Sequence, residues 1–201
     1  MAITKPIHET VDEPTWAIAY LFPYQGRWSE ADYLALDTNH LVEFTDGYVE
    51  VLPMPTISHQ RIVFFLQQLL SAFVTEYGLG EALAAPLRVR LRTGKYREPD
   101  VIFLSTERAA QTEKYPDGAD LVMEVVSPDD PERDYIQKRA EYAEAGIPEY
   151  WIVDPQEQRI TVLRLVDAEY AVHGEFTSGT QATSVLLDGF AADVADVFAA
   201  A

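Results

Sequence analysis

The chain has 201 residues, 48% of them hydrophobic, and carries 33 Asp plus Glu against 15 Lys plus Arg, a formal net charge of -18. That length and apolar content can bury one substantial core and exclude a disordered chain; the absence of cysteine excludes disulfides, thiolate metal sites and a cysteine nucleophile. The acidic balance repels nucleic acid at long range and counts against a nuclease unless the few basic residues are clustered.

In chain order, residues 1–14 read as a loose arm ahead of a single domain over 15–201. The apolar run from Trp16 to Phe22 is far too short to span a membrane, and Lys5, His8, Glu9, Asp12 and Glu13 before it do not make a signal peptide. The expectation is a cytoplasmic chain with no membrane segment. Ser29 caps a short helix to Leu36 with acids in its first turn. Two strands, 40–45 and 48–52, flank Asp46-Gly47, a strong hairpin signal. Thr56 or Ser58 opens a long helix to Tyr77 with Gly78 beyond its end, and Ile62, Phe65, Leu66, Leu69, Leu70 and Phe73 form its apolar stripe.

Strands are then predicted over 81–92, 96–104 and 121–126, with weak helical character between the last two. Asp129 or Asp130, with Pro131 behind it, starts a helix that ends at Gly146. A strand over 149–153, two or three more between 160 and 187, and a short helix over 191–200 complete the chain. Tyr150 and Trp151 are expected in the core.

Chemistry concentrates in two of these strands. Asp100, in Arg97-Glu98-Pro99-Asp100-Val101-Ile102-Phe103-Leu104, and Glu124, in Asp120-Leu121-Val122-Met123-Glu124-Val125-Val126-Ser127-Pro128, each place a carboxylate among β-branched and aromatic residues. An acid beside a core is costly to ionise unless paired or bound to a cation, so the two either hold a metal or serve structural ion pairs. Arg88, Arg90, Arg92, Lys95 and Arg97 are five of the 15 basic residues, with no acid between Glu81 and Glu98. The spacing 88, 90, 92 puts three arginines on one strand face, leading by a Thr93-Gly94 turn into the strand of Asp100, and the strip either positions phosphate or is an ordinary solvated face. The four histidines have no zinc-ligand spacing, and Ser127 lacks a nucleophile elbow.

The two acids resemble the signature of the PD-(D/E)xK nuclease superfamily. More narrowly, the chain resembles the Uma2 family of restriction-type endonucleases, through Trp28 with Tyr33-Leu34, Glu43 with Asp46-Gly47, Met54-Pro55 with His59, Pro99-Asp100, the segment from Asp120 to Pro128, Arg133-Asp134 with Lys138 and Tyr142, and Gly146 through Pro155. The fold implied is α/β: a restriction-endonuclease-like central mixed sheet flanked by helices, with an extra N-terminal hairpin and C-terminal strands. The implied activity is divalent-metal-dependent hydrolysis of nucleic-acid phosphodiesters, with DNA the favoured substrate and Mg²⁺ or Mn²⁺ as cofactor.

The resemblance makes Asp100 and Glu124 metal ligands, with the Val125 carbonyl a third. The superfamily lysine, two residues after the second acid, is here Val126. The resemblance points instead to Lys138 on the following helix, which on its own residues could equally be an exposed partner of Glu141. Glu43 is either an accessory carboxylate or solvent-facing. His59 either donates to phosphate or caps its helix, and Arg88, Arg90, Arg92 and Arg97 are candidate phosphate contacts. The competing reading, motivated by the charge and by Val126, is a non-catalytic nuclease-fold binding or interaction module, with a homodimer as one form of it.

Overall fold

The computed structural model describes residues 23–38 and 40–201, so the arm expected over 1–14 lies outside it. The central element is a six-stranded sheet of order β10-β9-β8-β7-β6-β3. Its strands are β3 (Gly80–Ala84), β6 (Val101–Ser105), β7 (Leu121–Val125), β8 (Glu149–Asp154), β9 (Arg159–Val166) and β10 (Glu169–Thr177). Only β7 and β8 run parallel among these pairs. A parallel pair needs a crossover, supplied here by a helical segment whose π-helical turn, Arg133–Lys138, continues into α4 (Arg139–Glu144). The remaining short elements are α1 (Glu30–Leu34), α3 (Thr106–Gln111), α5 (Val194–Ala199) and the pair β11 (Gln181–Thr183) with β12 (Ala191–Asp193).

The long helix α2 (Ile57–Glu76) forms as its sequence dictates. The Thr56 hydroxyl accepts from the His59 N–H at 3.2 Å, and at the far end Gly78 (φ 64°) lets the Gly78 and Leu79 N–H groups bond Thr75 and Val74. Ile62, Val63, Leu66, Leu70 and Val74 are buried against one face of the sheet, with Phe65, Leu69 and Phe73 partly buried around them. Strand alternation does the rest. Leu121, Met123 and Val125 of β7 join the α2 core, whereas Val122 and Val126 join Tyr142, Ile147 and Tyr150 on the opposite face. Glu124 therefore projects beneath the crossover helix. Tyr150 and Trp151 are fully buried, as expected of core residues.

Two expectations are corrected. The strand predicted over 81–92 is two strands in different sheets: β3 ends at Ala84, and β4 (Val89–Arg92) begins beyond Pro86, which has no N–H for a ladder. The strand predicted over 96–104 is divided in the same way, its first residues pairing outside the central sheet and Val101–Ser105 within it as β6. The expected hairpin of β1 (Val42–Thr45) and β2 (Tyr48–Val51) forms, turning through Asp46 and Gly47 at positive φ. It belongs to a second sheet, order β2-β1-β5-β4, completed by β5 (Lys95–Arg97). Tyr33, Phe44 and Tyr96 form the heart of that sheet's own small core. No helix among the described residues is long and apolar enough to cross a membrane.

Gly80 is the described glycine least able to take a side chain. At φ 149°, a Cβ there would lie 2.0 Å from the Leu104 carbonyl oxygen, where β3 pairs with β6. Gly80→Ala should cost about 3 kcal/mol or more of stability in urea unfolding; a loss under about 1 kcal/mol would show that the β3 edge is free to shift.

Candidate active site

The two acids predicted from sequence meet at one point. β6 and β7 pair through Val101↔Met123, and one step further along Asp100 and Glu124 face each other. The Val125 N–H donates to Asp100 Oδ2 at 2.8 Å, and the Asp100 N–H donates to Glu124 Oε2 at 3.4 Å. Side chains thus continue the ladder where backbone pairing stops. Glu124 is 1% exposed, while the Asp100 side chain is 16% exposed and lies at the site's open edge.

The crossover helix supplies the positive charge. Lys138 Nζ lies 2.9 Å from Glu124 Oε1 and 3.1 Å from Asp134 Oδ1, one turn earlier on the same helix. Tyr142, one turn later, donates its O–H to the same Glu124 oxygen. Lys138 is buried, so it is not an exposed partner of Glu141. Burial alone would lower its pKa, but Glu124 and Asp134, then Glu43 and Asp100, outweigh that and hold it above the ordinary lysine range. For Glu124 and Asp134 burial pushes the carboxyl up and Lys138 opposes it. The ammonium thus keeps its proton among several acids.

His59, in the first turn of α2, places Nε2 3.3 Å from Asp100 Oδ2. Burial pulls its pKa down, yet the neighbouring Asp100, with Glu124 and the Val125 backbone, raises it above the usual histidine value. Its backbone N–H is capped by Thr56, so the imidazole is left to serve Asp100.

Glu43 is buried, not solvent-facing. It lies at the start of a chain of charges between the two sheets: Arg97 Nε at 3.4 Å, the Glu98 N–H at 3.1 Å, and Arg133, which also bonds Glu50 at 2.6 Å. Arg97 in turn makes a paired contact with Glu141, both distances 2.7 Å, and Lys95 reaches Glu141 at 3.2 Å. Two stripes of one helical segment therefore do different work. Asp134, Lys138 and Tyr142 face Glu124, whereas Arg133 and Glu141 tie in the second sheet.

The predicted arginine strip is dispersed. Arg88 stacks over Tyr33 at 4.6 Å, donates to the carbonyls of Tyr33 and Leu36, and lies 3.6 Å from Glu98, whose carboxyl burial pushes up to about 7 against the pull of Arg88. Arg97 is buried in the charge chain. Arg90 and Arg92 keep solvent access while pairing with Asp117 and Asp46. Sequence reading gave no role to Asp134 and Tyr142. Their spacing of four residues on either side of Lys138 is the signal that would have found them.

The remaining donors suit a hard divalent ion. Asp100 Oδ1 takes no hydrogen bond from the described residues, and Glu124 Oε2 takes only the long one from Asp100. Among the described residues no group of three or more His, Asp or Glu side chains is spaced to hold a metal. Two carboxylate oxygens with water and substrate oxygens completing the shell is nonetheless an ordinary arrangement for Mg²⁺.

The fold that carries this arrangement has a solved counterpart. A solved structure from Anabaena variabilis ATCC 29413, described as "a putative nuclease belonging to DUF820", is similar with a TM-score of 0.73 at 19% identity, covering 86% of this chain and 98% of that one. The family model described as "Uma2: Putative restriction endonuclease" matches residues 30–195. The chain belongs to the Uma2 family. No curated protein matches it.

If the ammonium is what allows two acids to be buried here, Lys138→Met should destabilise the metal-free protein by about 3–5 kcal/mol, because it strands Glu124 and Asp134. Urea unfolding measures this directly. A loss below about 1 kcal/mol would mean that the acids are held by other means.

Proposed function

We propose that the protein is a divalent-metal-dependent endonuclease that hydrolyses phosphodiester bonds, with DNA as substrate. The observation carrying this reading is the convergence of Asp100 and Glu124 from adjacent strands with the buried Lys138 ammonium 2.9 Å from Glu124. In it, Asp100 and Glu124 would hold Mg²⁺ or Mn²⁺, with the Val125 carbonyl as a third donor. Such an ion, when bound, polarises a phosphoryl oxygen and lowers the pKa of an attacking water.

The chain's own residues supply the rest. Lys138, kept charged by Asp134 and Glu124, offsets negative charge carried by the phosphoryl oxygens in the transition state. His59 braces Asp100 from α2, with Nε2 3.3 Å from Oδ2, and stands where its ring could also meet a phosphate oxygen. Both oxygens of Glu43 are engaged by Arg97, Arg133 and the Glu98 N–H, so its accessory part in this reading is to set the field around Lys138. Of the four candidate phosphate contacts, Arg90 and Arg92 are the two that can exchange an exposed carboxylate for a phosphate. Arg88 and Arg97 are committed within the protein.

The charge of -18, with much of the basic complement paired internally, favours a second reading: an interaction module that keeps the nuclease fold without cutting. Incubation with plasmid and single-stranded DNA separates the two. With Mn²⁺ or Mg²⁺ the protein should nick DNA, chelation should stop it, and Asp100→Ala should lower the rate by at least about 100-fold without changing the melting temperature by more than a few degrees. Uncut DNA in the presence of either ion, with equally inert Asp100→Ala, would favour the module. The phosphate role of Arg90 and Arg92 has its own readout. Replacing both with alanine should reduce the slope of log affinity for DNA against log salt by about 1 to 2, and an unchanged slope would remove them from the interface.

A further inference from the structure

We propose that Tyr142 is a positioning residue that fixes the Glu124 carboxylate so that Oε2 is the oxygen left for a divalent ion. The inference rests on the reading of Asp100 and Glu124 as metal ligands given above. Glu124 Oε1 accepts the Tyr142 hydroxyl and lies 2.9 Å from the Lys138 ammonium as an ion pair. Oε2 receives only the Asp100 N–H at 3.4 Å. A fixed hydroxyl on one oxygen, with the ammonium beside it, favours one orientation of the carboxylate and leaves the other oxygen open.

Of the two groups, Tyr142 is the one with no freedom. Lys138 has a flexible stem and three N–H groups, and it is shared with Asp134 at 3.1 Å, so it can shift between acids without losing its charge partner. Tyr142 is fully buried and its ring is locked in a row of three tyrosines. It meets Tyr150 edge-on at 5.1 Å and 79°, and Tyr150 packs on Tyr170 at 5.9 Å. The other two hydroxyls are also bonded, Tyr150 to the Asp134 carbonyl at 3.0 Å and Tyr170 to the Ile147 carbonyl at 2.7 Å.

Packing alone would be satisfied by phenylalanine at 142. A buried hydroxyl is tolerated only with an acceptor, and the acceptor here is the acid at the centre of the site. Hydrogen bonds to ligating groups typically change metal affinity by tenfold to a hundredfold, so deletion of this hydroxyl has a measurable consequence that does not depend on turnover.

The test is calorimetric titration with Mn²⁺ alone, on the full chain without nucleic acid. Tyr142→Phe should bind Mn²⁺ roughly 10–100-fold more weakly than the wild type. Tyr150→Phe removes a neighbouring buried hydroxyl that bonds Asp134 rather than Glu124, and it should keep wild-type affinity. Melting without metal reports the structural cost of each change separately. Wild-type affinity in Tyr142→Phe overturns the proposal while leaving the metal reading intact. Equal weakening in both variants overturns it as well, since the effect would then be packing, and so does a Tyr142→Phe chain that does not fold. A wild type that binds no Mn²⁺ overturns the metal reading and this inference with it.

Discussion

A carboxylate in the middle of a buried strand has to be given a partner, and much of the crossover segment is organised around that need at Glu124. β7 alternates its side chains between two cores, so the position that carries the acid points away from α2 and into the space beneath the helical segment 133–144. An isolated charge there would be prohibitive. Lys138 and Tyr142 on successive turns answer it, and Asp134 balances the lysine in turn. The π-helical turn that carries Arg133 to Lys138 is the segment where side chains must reach both sheets at once, and such departures from α geometry are frequent at functional sites.

The same helical segment explains how the second sheet is held. Glu43 of β1 and Arg97 of β5 are brought together by strand pairing, and Arg133 and Glu141 reach across to them from the crossover. The cost of burying these charges is offset only because each has at least one charged partner with close geometry. One outcome is that the acid-rich chain spends much of its scarce basic complement inside. A positive strip that looks available in the sequence is therefore largely consumed in the folded protein, and the surface left to meet a polyanion is narrower than the arginine count suggests.

What could be read from the sequence was local. The α2 stripe, its Thr56 cap and Gly78 stop, the Asp46-Gly47 turn and the core placement of Tyr150 and Trp151 all follow from periodicity and turn chemistry within a few residues. Asp100 and Glu124 stand out because each lies beside or within an apolar run, and their juxtaposition follows once β6, which begins just after Asp100, pairs with β7. Lys138 came only through family resemblance, since Val126 occupies the place where the usual pattern has its cation. What escaped were contacts made over long sequence distance. Arg97 and Glu141 are 44 residues apart, and Arg133 and Glu43 are 90 apart, so nothing near either residue announces the pair. The break between β3 and β4 was hidden for a related reason: both halves have strand composition, and only their partners reveal that they belong to different sheets.

The central claim is that Asp100 and Glu124 form a metal centre beside Lys138. Anomalous diffraction from a crystal soaked in Mn²⁺ tests it most directly. A manganese peak is expected within bonding distance of both carboxylates, with the Lys138 ammonium still in contact with Glu124. A well-occupied soak that shows manganese elsewhere, or none between these two acids, would contradict it.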